Sequence, residues 1–313
     1  MDMTGTRIIA LAIILLMLGT NAFGDETSPD KILMKVAATY KALKTYKAEG
    51  SITSDIDTGG MKMKIETSFS ILLKKPNLYL ISWTQKNMPM PGMVRSGAVW
   101  SDGTQPFLHM GMMNAYSSMT SDEMALGAAT GISGGAAFTI PSLFLSVFKD
   151  QPAPFSRLKD PKIEMTEKVE GEDCYVLSGP SAISKKETFW ISKTSYLIRK
   201  YYRSLEPPEE GTAIPEMTDK QLEEAITGLG QEVTQESKKN MREMMERSRA
   251  MLKTVKLNGS STELHVNVSS PELNESDFKF SLPEGTVLKD SLFGGIFGAN
   301  KGVPDESANH DKP

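Results

Sequence analysis

From Gly60 to Lys75 the apolar side chains fall on alternate positions. Met61, Met63, Ile65, Phe69, Ile71 and Leu73 form one series, with Thr67 among them; Lys62, Lys64, Glu66, Ser68 and Ser70 form the other. Period two is the mark of a strand with one face in water and one face buried. The run is longer than an ordinary strand. It therefore predicts a long, curved antiparallel sheet with one apolar face, which helices or a ligand must cover.

The chain opens on Arg7 and an uninterrupted apolar run, Ile8–Leu18, followed by small residues at Ala22 and Gly24. This pattern predicts a secretory signal peptide over residues 1–24. The run is short for a membrane span. Cys174 is the single cysteine, so no internal disulfide can form, which points to a bacterial periplasm. Its alternation with Val176 predicts a buried thiol. Net charge is −4 and no basic stripe appears, which argues against a nucleic-acid partner.

Ser28-Pro29-Asp30 predicts a helix start, with Leu33, Val36, Ala37, Tyr40 and Leu43 as its apolar stripe. Strands are expected at Tyr46–Asp57, Met61–Lys74, Leu78–Gln85, Met93–Ser101 and Pro106–Met110. Alternation then lapses. The small residues of Leu126–Ala137 predict a mobile stretch, flanked by helical pieces at Ser121–Leu126 and Pro141–Lys149. Strands resume at Lys162–Lys168, Cys174–Gly179, Glu187–Ser192 and Tyr196–Ser204. Thr218 and Gln221 form a capping box. A long amphipathic helix is expected from about Gln231 to Lys256, with Met241, Met244, Met245, Met251, Leu252 and Val255 on one side, packed on the parent domain. Strands return at Thr262–Val268 and Phe278–Leu282. The organisation expected is α+β: a curved antiparallel sheet, or incomplete barrel, covered by a helical lid. It spans 25–289, with a helical insertion at about 217–256 and a disordered tail at 290–313.

Several segments in this order resemble the LolA-like periplasmic lipoprotein carriers, the outer-membrane lipoprotein-sorting proteins. They are Tyr40–Ala48, Lys75-Pro76-Asn77-Leu78-Tyr79, Trp100-Ser101-Asp102-Gly103, Tyr175-Val176-Leu177, Thr188–Ser192 and Asn267–Gly285. The resemblance implies a half-barrel closed by helices, whose cavity takes acyl chains of lipoproteins or other amphiphiles, with relatives that act as envelope-stress sensors.

No motif supplies a catalytic constellation. The carboxylates fall in turns and on polar faces, and no nucleophile elbow, His-Glu-x-x-His or zinc spacing occurs. The chain reads as a non-enzyme without a cofactor. Its ligand cavity is expected to be walled by Met61, Met63, Ile65, Phe69, Ile71, Leu73, Trp83, Phe144, Phe148 and Phe189. An Asp at Phe69 is then expected to leave the fold intact and abolish ligand binding. Flexible methionines, 20 in all, suit a wall that adapts to varied chains. The expected partners are lipid or lipoprotein acyl chains, with peripheral or transient membrane contact. An envelope protein docking on the insertion is the alternative. A third reading takes Met88, Met90 and Met93 with His109, Met110, Met112 and Met113 as soft ligands for Cu(I).

Overall fold

The computed structural model describes residues 28–86, 95–148, 154–206, 217–228, 232–254 and 257–292. The expected signal peptide, Met88–Met93 and all but the first residues of the tail lie outside them.

Helix α1, Pro29–Ala42, begins as its sequence dictates. The Ser28 hydroxyl accepts from the Lys31 amide at 3.4 Å, and Pro29 occupies the first turn. Its buried stripe is Ile32, Val36 and Tyr40; Ala37, expected in that stripe, is exposed. Lys75 closes the other end, donating to the carbonyls of Tyr40 and Lys41 at 2.9 and 2.6 Å.

The sheet contains β1 (Thr45–Thr58), β2 (Lys62–Lys74), β3 (Leu78–Lys86), β4 (Arg95–Asp102), β5 (Pro106–Met110) and β6 (Ala115–Ser118). It continues with β7 (Lys162–Val169), β8 (Glu172–Gly179), β9 (Glu187–Ser192), β10 (Ile198–Ser204), β11 (Leu257–Ser269) and β12 (Val287–Leu288). The spatial order is β12-β6-β5-β4-β3-β2-β1-β11-β10-β9-β8-β7. Every pairing is antiparallel except β12 with β6, and the two edges do not meet. The sheet is therefore an open half-barrel. Strand β11 returns from late in the chain to pair with β1, uniting two meanders that would otherwise be separate sheets.

The alternation of β2 orders its inner face. Leu73 lies opposite Tyr46 and Tyr79, Ile71 opposite Ile81, and Phe69 opposite Gly50 and Trp83. Two glycines are needed there for space. A Cβ on Gly50 would lie 2.3 Å from the Phe69 ring, and one on Gly97 2.4 Å from the Trp83 ring. Each large aromatic thus lies across the bare backbone of a neighbouring strand.

A helical segment covers this inner face. Helix α2 runs Asp122–Ile132, and a short helix α3, Pro141–Phe144, packs on α1. Helix α2 continues into the stretch expected to be mobile. Leu126, Ala129, Ala136, Ala137 and Ile140 are fully buried there, so small size serves close packing on the sheet. Asp122 anchors the segment, accepting from Tyr79 Oη at 3.0 Å and Asn77 Nδ2 at 3.2 Å.

The outer face is covered in part by the C-terminal segment. Phe280 packs on Trp100 at 5.2 Å between centroids. The strand expected at Phe278–Leu282 is a 3-10 turn, Glu275–Phe278, followed by chain that crosses the face of β3 and β4, interior strands with both edges already paired.

The insertion folds as a hairpin of α4 (Asp219–Gly228) and α5 (Gln235–Thr254). The Thr218–Gln221 capping box forms, with the Gln221 amide donating to Thr218 Oγ1 at 3.3 Å. Leu222, Ile226 and Met241 make a small core of their own with Met217, Met244 and Met245. Of the stripe expected to pack on the parent domain, Met241, Met244 and Met245 are used within the hairpin, while the side chains of Met251, Leu252 and Val255 lie outside what the structure describes.

Candidate functional site

The inner face divides in two. Toward the Tyr46 end of β1 it is sealed by α1 and α3. Ile71, Leu73 and Phe144 lie in that packed core, whereas Phe189 is fully buried nearer the cavity, stacked on Tyr201 at 4.7 Å and in register with Glu263. Toward the β1–β2 turn the lid stands off the sheet and leaves a half-enclosed cavity of about 770 Å³. Ile65, Trp83 and Phe148, from the expected wall, line it together with Ile56, Ile132 and Phe138. Phe69 is only 5% exposed, with its ring 5.3 Å from His265, and belongs with the packed aromatics between the two halves. Met63 is half-buried further along β2, while Met61 is 61% exposed in the turn before it.

The lid contributes glycines. Gly127 and Gly131, one helical turn apart on α2, line the cavity, as do Gly134 and Gly135. A Cβ on Gly127, Gly131 or Gly135 would meet nothing within 4 Å. Glycine in a helix interior costs about 1 kcal/mol relative to alanine. Here its effect is to keep open the space that larger side chains would fill.

The floor is polar. Glu263 on β11 is buried, and Thr139 of the lid donates to its Oε2 at 2.6 Å. Its other oxygen lies 2.8 Å from Nε2 of the buried His265, without the alignment of a hydrogen bond. Gln85 donates to Thr67 at 3.3 Å, and Arg95, Arg157 and Arg203 complete the lining. Tyr201 donates to the buried Glu187 at 2.8 Å, and burial raises its hydroxyl well above the usual tyrosine range. Sequence reasoning placed Thr67 on the inward series of β2 and missed the other polar groups. The signal available was placement: Gln85, Arg95, Arg203 and Glu263 continue the inward series of their strands.

The methionine–histidine cluster is split by the sheet. Met110 and Met112 line the inner cavity, whereas His109, next along β5, turns to the outer face beneath Phe280 at 5.5 Å. Burial holds its imidazole below the ordinary histidine range, so it is neutral, and neither ring nitrogen has a partner among the described residues. It borders a second cavity of about 610 Å³ among Ser51, Ser68, Ser70, Ser82 and Ser96. No group of His, Cys, Asp and Glu able to hold a metal occurs among the described residues. Cys174 is buried, and burial raises its thiol.

An open antiparallel sheet, closed on one face by a helical segment over a partly apolar cavity, defines a lidded half-barrel. It is the incomplete, lidded barrel expected from the sequence. The chain belongs to the family described as "Predicted periplasmic protein (DUF2092)", whose model matches residues 29–225. That description agrees with the compartment expected from the sequence.

The chain is similar to several solved structures at low identity. An uncharacterised conserved protein from Thermus thermophilus is 9% identical, with 84% of this chain and 99% of that chain covered and a TM-score of 0.39. The Mycobacterium tuberculosis lipoprotein LppX is 10% identical, with coverage of 79% and 99% and a TM-score of 0.37. A LolA superfamily protein from Nitrosomonas europaea is 11% identical, with coverage of 81% and 98% and a TM-score of 0.28. Comparison with curated proteins gives no match.

Proposed function

We propose that this protein is an exported, non-catalytic binding protein or carrier for hydrophobic ligands, with lipoprotein acyl chains or other envelope lipids as its cargo. The observation that carries this reading is the cavity between lid and sheet. Its volume, about 770 Å³, falls in the range of small-molecule sites. Ile56, Ile65, Trp83, Phe138 and Phe148 provide an apolar wall, and the lid glycines keep it unfilled. A buried acyl chain gains about 0.8 kcal/mol per methylene, so roughly a dozen methylenes supply on the order of 10 kcal/mol. That is enough to hold a lipid through an aqueous compartment.

The test is native mass spectrometry of the protein purified from its own envelope, with titration of a fluorescent fatty-acid probe. A co-purified lipid, and saturable probe binding lost on filling the cavity, are expected. A protein that carries no lipid and binds no probe would count decisively against this reading.

A second reading, an envelope sensor or interaction module, is favoured by the α4–α5 hairpin. Its separate core leaves it free to serve as an arm. Loss of function on removing the hairpin, with probe binding intact, would select this reading over transport alone.

A further inference from the structure

The cavity wall is mostly apolar, yet it carries three guanidinium groups, Arg95, Arg157 and Arg203, against one carboxylate, Glu263. That carboxylate is already engaged by Thr139 and lies against His265. The ion pairs that arginines make among the described residues involve Arg199, Arg242 and Arg247, and none of these three. Arginine stays charged at any physiological pH and offers a planar fork matched to carboxylate and phosphate. All three are half-buried, and removing such a charge from water without a counter-ion is unfavourable.

Their surroundings differ in an informative way. Arg157 sits at the end of the turn Pro154–Arg157, its guanidinium over the Phe138 ring at 5.5 Å and its Nε 3.5 Å from the Pro154 carbonyl. Arg203 follows Tyr201 on the inward series of β10, opposite the buried Glu187 of β9, whose two oxygens already accept from Ser181 and Tyr201. Arg95 lines the same cavity from β4, five strands away, and its buried Nε has no hydrogen-bond partner among the described residues. Positive groups from β4 and β10 thus border one space that also has an apolar wall, Ile56, Ile65, Trp83, Phe138 and Phe148.

We infer that the cavity selects amphiphiles bearing an anionic headgroup, a phosphate or carboxylate bound by Arg203, Arg157 and Arg95, with the chain lying along Ile65, Trp83 and Phe148. This rests on the cavity being the ligand site and adds the charge of the ligand to it. The same chemistry could be supplied by a free oxyanion, and the experiment separates the two.

Calorimetric titration would use dodecyl phosphate, a nonionic dodecyl ether of tetraethylene glycol and inorganic phosphate, the two alkyl probes below their micelle concentrations. Dodecyl phosphate is expected to bind on the order of ten- to a hundredfold more tightly than the nonionic probe of equal chain length, as charge-assisted hydrogen bonds imply. Arg203→Gln and Arg95→Gln should each remove most of that preference while leaving the affinity for the nonionic probe, which has no anion for them to bind, unchanged. Inorganic phosphate alone should give no saturable heat. Equal affinity of the two alkyl probes would overturn the headgroup inference and leave the carrier reading standing. Binding of neither alkyl probe would sink both. Saturable, arginine-dependent binding of inorganic phosphate, with no gain from the alkyl chain, would reassign the cavity to a free anion.

Discussion

Thr139 Oγ1 donates to Glu263 Oε2 at 2.6 Å, joining the lid to the strand that closes the two meanders into one sheet. The donor belongs to the segment over the cavity and the acceptor to its floor. Both are buried, so the bond is shielded from competing water.

Replacing Thr139 with Val keeps the shape and removes the donor. A hydrogen bond to a charged group contributes about 1.5–3 kcal/mol, so a loss of that order is expected in urea denaturation. Release of a bound fluorescent fatty acid should accelerate as the lid loosens. An unchanged release rate would show that the lid is held elsewhere.

Gly131 lines the cavity from α2 with open space at its Cβ position. Gly131→Ala is expected to stabilise the protein slightly, by less than the roughly 1 kcal/mol of a helix interior because Gly131 lies in the last turn of α2. Gly131→Leu should retain the fold and abolish probe binding by filling the cavity. Undiminished binding in the leucine variant would place the ligand outside this space.

Phe69 lies over Gly50 with its ring edge against His265. Phe69→Ala should cost about 3–5 kcal/mol. Phe69→Asp places a carboxylate at a position only 5% exposed, though beside the second cavity, and is expected to unfold the protein, the reverse of what a freely hydrated position would give. Thermal melts of both variants decide the matter; a folded aspartate variant would mean that water reaches Phe69.

The helical hairpin should be separable. The Leu205 amide donates to the Gly259 carbonyl at 2.9 Å, so the chain leaves and re-enters the sheet at one point. Replacing 207–256 with a short Gly/Ser linker is expected to preserve a cooperative melt. Loss of the cooperative transition would make the hairpin part of the main core.

Burial raises the hydroxyl pKa of Tyr40, Tyr46 and Tyr79 above the usual tyrosine value. Their folded forms keep the proton where the unfolded chain, near pH 10, releases it. The stability this contributes is present below that pH and falls as pH rises above it. Ultraviolet titration should show these three ionising only as the fold is lost at strongly alkaline pH. Their reversible ionisation in a folded protein at about pH 10–11 would contradict the packing described for them.

The legible part of this protein was local. Period-two alternation set the faces of β2 and β3, because a strand reverses its side chains at each residue whatever its partners. Ser28 and Thr218 marked helix starts, because a cap acts within one turn. Leu126–Ala137 misled, since small residues suit both a mobile loop and a helix pressed on a sheet, and only the apposed face distinguishes them. The division of the apolar face was likewise beyond the sequence. Ile65 and Leu73 belong to one alternating series, yet Leu73 is packed under α1 and Ile65 borders a cavity. Nothing in β2 differs to announce this; the reach of helices from elsewhere in the chain decides it. The same holds for Arg95, Arg203 and Glu263, each an ordinary charged residue in its own strand. Strand order alone brings them to one cavity, because β11 crosses from the end of the chain to lie beside β1.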